Sequence, residues 1–121
     1  MAEVVIFNTS QITQISHLLC DRVMTGSEIS RVLTRLAVPD NSGESTKWRR
    51  LEYTFTACQD KDHSGNVILR FIKEVLDPVN YVQRQDEFED YRSELNGILT
   101  FSGIQYRYDV EFEKVEVSKN I

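Results

Sequence analysis

Thr25-Gly26-Ser27-Glu28-Ile29-Ser30-Arg31-Val32-Leu33, followed across one polar loop by Thr46-Lys47-Trp48-Arg49-Arg50-Leu51, is the stretch on which the reading of this chain turns. Thr25 and Glu28 have the spacing of a capping box, in which the Thr hydroxyl accepts from an orphan backbone amide and the Glu carboxylate reaches back. A helix is predicted from there with Ile29, Val32, Leu33 and Leu36 on one face, ended by Pro39 and Asp40-Asn41-Ser42-Gly43. Ser45 or Thr46 then caps a third helix with Trp48, Leu51, Phe55 and Cys58 inward and Lys47, Arg49 and Arg50 in its first turn. Cations there oppose the helix dipole at a cost of a few tenths to about 1 kcal/mol, so they are either tolerated at an exposed surface or put to use. Such a helix pair can read nucleic acid or present a surface to another protein. Physics alone does not choose between them.

Upstream of the pair, Glu3–Phe7 is β-branched and aromatic and is predicted as a short strand. The Asn8-Thr9-Ser10 cluster caps a first helix to about Val23, with Ile12, Ile15, Leu19 and Val23 on one face. Downstream, Asp60–Gly65 is predicted as a turn, and Asn66 as the cap of a fourth helix with Ile68, Phe71, Ile72 and Val75 inward. That helix stops before Asp77-Pro78, because proline restricts its predecessor and lacks an amide hydrogen. Asp86 and Glu89 repeat the capping-box spacing and open a fifth helix with the stripe Phe88, Tyr91, Leu95, Ile98 and Leu99. Ser102-Gly103 closes it, Gly103 being free to turn left-handed. Ile104–Tyr108 and Val110–Val117 then read as two strands around Asp109, and the change of apolar parity between Phe112 and Val115 predicts a bulge near Glu113-Lys114. The fold expected is mainly α, about five helices with a small C-terminal β-hairpin, an arrangement open to a winged-helix form.

At 121 residues, 40% hydrophobic and 27% charged, the chain fits one domain that buries a modest core without a disulfide or a metal. Its longest apolar run, Val4-Val5-Ile6-Phe7, is far too short to span a bilayer and lacks the features of a signal peptide. A cytoplasmic protein is expected, in which Cys20 and Cys58 serve as small core hydrophobes. The net charge of -5 is uneven, with eight cations and eight carboxylates in residues 1–70 against six and eleven in residues 71–121. Such a chain lacks the global attraction that drives non-specific phosphate binding, so a nucleic-acid contact would need a local patch.

Each chemical motif has a structural rival. His17 and Cys20 with Cys58 and His63 offer four zinc-type ligands, but neither pair has the short-knuckle spacing of structural sites, and core cysteines with surface histidines are the stronger reading. Arg31, Arg35, Lys47, Arg49 and Arg50 form a candidate phosphate-contacting patch with Trp48 as a stacking platform. Trp48 also fits the inward stripe with Leu51 and Phe55. The acidic run Asp86, Glu87, Glu89, Asp90 and Glu94 suits the first turns of a solvated helix and has no His, Cys or Ser partner at a diagnostic spacing for catalysis. Tyr81, Tyr91, Tyr106 and Tyr108 are either interface residues or ordinary half-buried ones. No metal, phosphate-binding or nucleophile signature names a reaction, and no cofactor is expected.

The blocks TGSEISRVL, TKWRRL, GNVILRFIKEVLDPVNY and FEDYRSELNGILTFSGI, in this order and spacing, resemble the AbiJ-type N-terminal domain of bacterial abortive-infection proteins over roughly Ser16 to Val117. In that family the region precedes a HEPN domain, whose R-x-x-x-x-H ribonuclease motif is not in this sequence. The resemblance implies a single sensor or adaptor domain, cut from or encoded apart from its effector. Its role would be non-enzymatic recognition in anti-phage defence, sensing a cue or controlling a HEPN ribonuclease through a protein partner, an effector domain or a phage-derived component. The alternative is a nucleic-acid-binding helix-turn-helix module. No membrane association is expected under either.

Overall fold

The apolar spacings become helices in the computed structural model, which describes residues 5–23, 26–39, 42–107 and 112–115. The chain divides into two compact units, residues 1–75 and 76–121. The first contains α1 (Thr9–Leu18), continued by a π-helical turn (Leu19–Val23), then α2 (Gly26–Arg35), α3 (Lys47–Asp62) and α4 (Asn66–Val75). The second contains a 3-10 turn (Pro78–Tyr81), α5 (Gln85–Leu99), another 3-10 turn (Thr100–Ser102), and strands β1 (Ile104–Tyr106) and β2 (Phe112–Lys114). The fold is mainly α with a small antiparallel hairpin near the C-terminus, as the periodicities required.

In the first unit most of each predicted face is buried, while Val23, Leu36, Trp48 and Cys58, at the ends of their stripes, are only half-buried. Ile12, Ile15 and Leu19 from the first helix meet Ile29 and Leu33 of α2, Leu51 and Phe55 of α3, and Ile68, Phe71 and Ile72 of α4 in a common core. The Phe55 and Phe71 rings meet edge to face at 5.2 Å and 82°, the geometry their quadrupoles favour. Asn8 caps α1 with a full capping box: its side chain accepts from Gln11 N at 2.8 Å, and Gln11 Oε1 accepts from Asn8 N at 2.9 Å. The cap predicted from Thr25 lies outside the described residues, as do Asp40-Asn41 beyond α2.

Residues 5–8 form no strand. Val5 O accepts from Gly65 N at 2.7 Å, and the backbone of Phe7 is held by one side chain, Gln59, whose Oε1 accepts from Phe7 N at 2.9 Å while its Nε2 donates to Phe7 O at 2.8 Å. An amide side chain offers the donor and acceptor that a neighbouring strand would have offered. The predicted turn at Asp60–Gly65 is shorter than expected, because α3 runs on to Asp62. His63 ends it in the left-handed region at φ 53. Asn66 is the first residue of α4 rather than its cap, and donates its N–H to Ser64 Oγ at 3.1 Å.

The second unit is built around Tyr106, which is fully buried. Asn96 of α5 repeats the device seen at Gln59: its Oδ1 accepts from Tyr106 N at 2.7 Å and its Nδ2 donates to Tyr106 O at 3.0 Å. Arg92 also donates to Tyr106 O at 3.0 Å, and the phenol donates to Leu76 O at 3.0 Å. The strands are three residues each and their register, Ile104↔Lys114, Gln105↔Glu113, Tyr106↔Phe112, is uninterrupted. Val115 N donates to Gly103 O at 2.8 Å in continuation of it. The predicted bulge at Glu113-Lys114 is therefore absent; the turn around Asp109 and the far ends of both predicted strands lie outside the described residues. Asp86 does not cap α5 either, since Arg84 O already accepts the first helical bond from Phe88 N. Asp86 and Glu87 sit one step inside, where the dipole favours them.

Candidate recognition surfaces

The basic residues come from α2 and α3, joined by residues 36–46, far longer than the roughly 3–4-residue turn of a helix-turn-helix. Arg50 Nη2 donates to Ser30 Oγ at 2.5 Å and so ties α3 to α2. Lys47 Nζ donates to the carbonyl of Cys20 at 3.2 Å, fastening the start of α3 to the π-helical turn. Arg35 bridges to Glu74 on α4 at 2.8 Å, and Arg31 lies 4.0 Å from Glu28 on its own helix. Arg49 places its guanidinium 5.3 Å from the Trp48 ring. Two of the three first-turn cations that the dipole argument left unexplained, Lys47 and Arg50, thus carry hydrogen bonds to neighbouring elements that offset their unfavourable position, while Arg49 packs beside Trp48.

Trp48 is half-buried rather than inside the core stripe. His17 stacks on it at 4.2 Å and 27°, and His17 Nδ1 is 3.2 Å from Asp21 Oδ2. One face of the indole is therefore already covered, which limits it as a platform for a base.

The four zinc-type residues do not converge: among the described residues no three His, Cys, Asp or Glu side chains are grouped so as to hold a metal ion. His63 serves as the left-handed terminus of α3, and both cysteines are free thiols. Burial pushes the Cys20 thiol up to about 11, against a smaller opposing pull from Lys47, and burial likewise raises Cys58. A thiol held protonated is a poor nucleophile.

The acidic residues lie on the outer face of α5. Arg84 reaches Glu87 at 3.3 Å and Arg92 reaches Glu89 at 2.6 Å. Tyr81 is buried against Phe88 at 5.7 Å and Tyr91 at 6.1 Å. Tyr81 and Tyr106 are thus core residues of the second unit; Tyr108 lies outside the described residues. Beside them runs a groove of about 450 Å³ lined by Pro78, Val79, Tyr81, Val82, Gln85, Phe88 and Glu89. At its rim Val79 and Val82 are 69% and 65% exposed. The sequence reading passed over this groove as a break between helices. The available signal was two valines around a Pro-initiated turn with no helical stripe to join.

Family models, curated proteins and solved structures were compared with the chain, and none matches. No helix among the described residues is long and apolar enough to cross a membrane.

Proposed function

We propose that this chain is a non-enzymatic recognition domain of an AbiJ-type bacterial abortive-infection system, acting in the cytoplasm by binding a protein. Its partner is the HEPN ribonuclease it controls or a phage-derived component. The observation that carries this reading is the pair Val79 and Val82, standing in solvent at the rim of a groove floored by Tyr81 and Phe88. Apolar side chains beside a hollow and rimmed by polar residues are an arrangement that protein contacts use, which supports this reading. The order of the sequence blocks supplies the biological setting, and the structural duties of Lys47, Arg35 and Arg50 weigh against their being kept for phosphate.

The reading is tested by co-expressing the chain with a HEPN ribonuclease of an AbiJ-type system and following the pair by size-exclusion chromatography. A complex is expected, lost on Val79→Asp with Val82→Asp while the circular dichroism spectrum and melt stay unchanged. No complex, or one indifferent to both valines, counts against the proposal. A second reading, nucleic-acid binding, is favoured by one observation, the adjacency of exposed Arg49 to the half-buried Trp48 ring.

A further inference from the structure

The groove beside the Pro78–Tyr81 turn has a charged flank that narrows the kind of partner it fits. Gln85 and Glu89 of α5 line it, and a shallower hollow lined by Val82, Gln83, Arg84, Gln85, Asp86 and Glu87 adjoins it. Residues three and four apart are neighbours on a helix surface, so Asp86 and Asp90 lie on the strip next to Glu89. The two cations present are committed: Arg84 stands 4.8 Å over the Tyr81 ring, donates to Asn80 O and reaches Glu87, while Arg92 holds Glu89 and Tyr106 O. The side chains of Asp86 and Asp90, both exposed, have no hydrogen bond or ion pair among the described residues. Of Arg84, Asp86, Glu87, Glu89, Asp90 and Arg92, four are anionic and two cationic. An apolar hollow is thus bordered by two paired carboxylates, Glu87 with Arg84 and Glu89 with Arg92, and by two, Asp86 and Asp90, with no cationic partner among the described residues.

We infer that this groove docks a basic amphipathic segment of the protein partner. Its apolar residues pack on Val79, Val82 and the Phe88 edge, and its Lys or Arg residues stand over Asp86 and Asp90. The inference rests on the protein-recognition reading and adds the chemistry of what is recognised. A groove of about 450 Å³ takes a few side chains of a segment rather than a folded domain. Charge across such a border chiefly selects the partner and speeds encounter, while the apolar contact holds it.

The test uses the full chain and two fluorescein-labelled designed helical peptides with the same leucine face, one carrying lysines and the other glutamates opposite it. Fluorescence anisotropy should show the lysine peptide bound, and the glutamate peptide bound about tenfold or more weakly. Asp86→Asn with Asp90→Asn should weaken the lysine peptide by roughly three- to tenfold and shrink the difference between the two. Val79→Ser with Val82→Ser should remove binding of either. Equal binding of both peptides, or binding unaffected by the valine pair, overturns the inference. So does self-association of the chain that vanishes with the same valine substitutions, since a second copy would then be the occupant. If neither peptide binds although the HEPN complex forms, this inference fails and the recognition reading stands. A lysine peptide that binds through the valines without any HEPN complex supports the groove and rejects that effector as the partner.

Discussion

Gly65 shows how much one missing carbon can decide. A Cβ there would lie 2.9 Å from the Phe7 ring and 3.0 Å from the Val5 carbonyl, both closer than packed atoms sit. Its N–H donates to that same carbonyl at 2.7 Å, so the N-terminal segment cannot back away without losing the bond. Gly65→Ala should therefore cost about 1–3 kcal/mol, the usual range for overpacking, read as a lowered urea midpoint. A variant as stable as the original would mean that residues 5–8 do not hold this position. Ala37 and His63 make the complementary case: each ends a helix at positive φ, 57 and 53, where glycine is the ordinary choice. Neither residue type is a typical helix stop, and α3 runs past the start of the turn that the sequence predicts from Asp60, ending at Asp62.

At the scale of elements, what periodicity controls was legible and what side chains improvise was not. The faces of α1 to α5 followed from the three- and four-residue spacing of Ile, Leu, Val and Phe, because burial of a stripe is what holds a helix in place. Of the strand expected at Glu3–Phe7, Glu3 and Val4 lie outside the described residues and residues 5–7 form none, and the bulge expected at Glu113-Lys114 is absent. The backbone of Phe7 and the outer edge of β1 at Tyr106 are each satisfied by a single amide side chain, Gln59 and Asn96, and such contacts carry no periodic signal. Asn96→Ala tests how far the hairpin rests on one residue. It leaves the buried Tyr106 N–H without its partner, for which about 1–3 kcal/mol is the expected loss. Arg92 still donates to the carbonyl, so the loss should fall short of two orphaned groups. Amide exchange at Tyr106 should accelerate in step with the loss of stability, and unchanged exchange would show that the ladder alone suffices. The groove at Pro78–Phe88 was equally hidden, since it arises where a 3-10 turn meets the start of α5, between two elements that were each read alone.

Over the whole molecule, the charge of -5 and the placement of its parts bear on which partner is bound. The excess acid lies in residues 71–121, and three cations of the candidate patch, Arg35, Lys47 and Arg50, tie α2 to α4, α3 to the π-helical turn and α3 to α2. Phosphate binding would have to compete with those bonds and overcome a repulsive net field. The intact chain should accordingly show no appreciable binding to duplex or single-stranded nucleic acid at moderate salt by fluorescence anisotropy. The control is Lys47→Gln, Arg49→Gln and Arg50→Gln together, which removes the charge while keeping hydrogen-bonding groups near Cys20 O and Ser30. If those three cations do contact phosphates, the slope of log K against log salt on duplex DNA should flatten by up to about 2.7 in the variant, at about 0.9 per contact released. Tight binding by the intact chain together with that flattening would reverse the assignment, making the α2–α3 face the functional surface. Absence of binding would accord with the structural work that Lys47 and Arg50 already do, holding α3 to the π-helical turn and to α2, and would count against the α2–α3 face as a phosphate-binding surface.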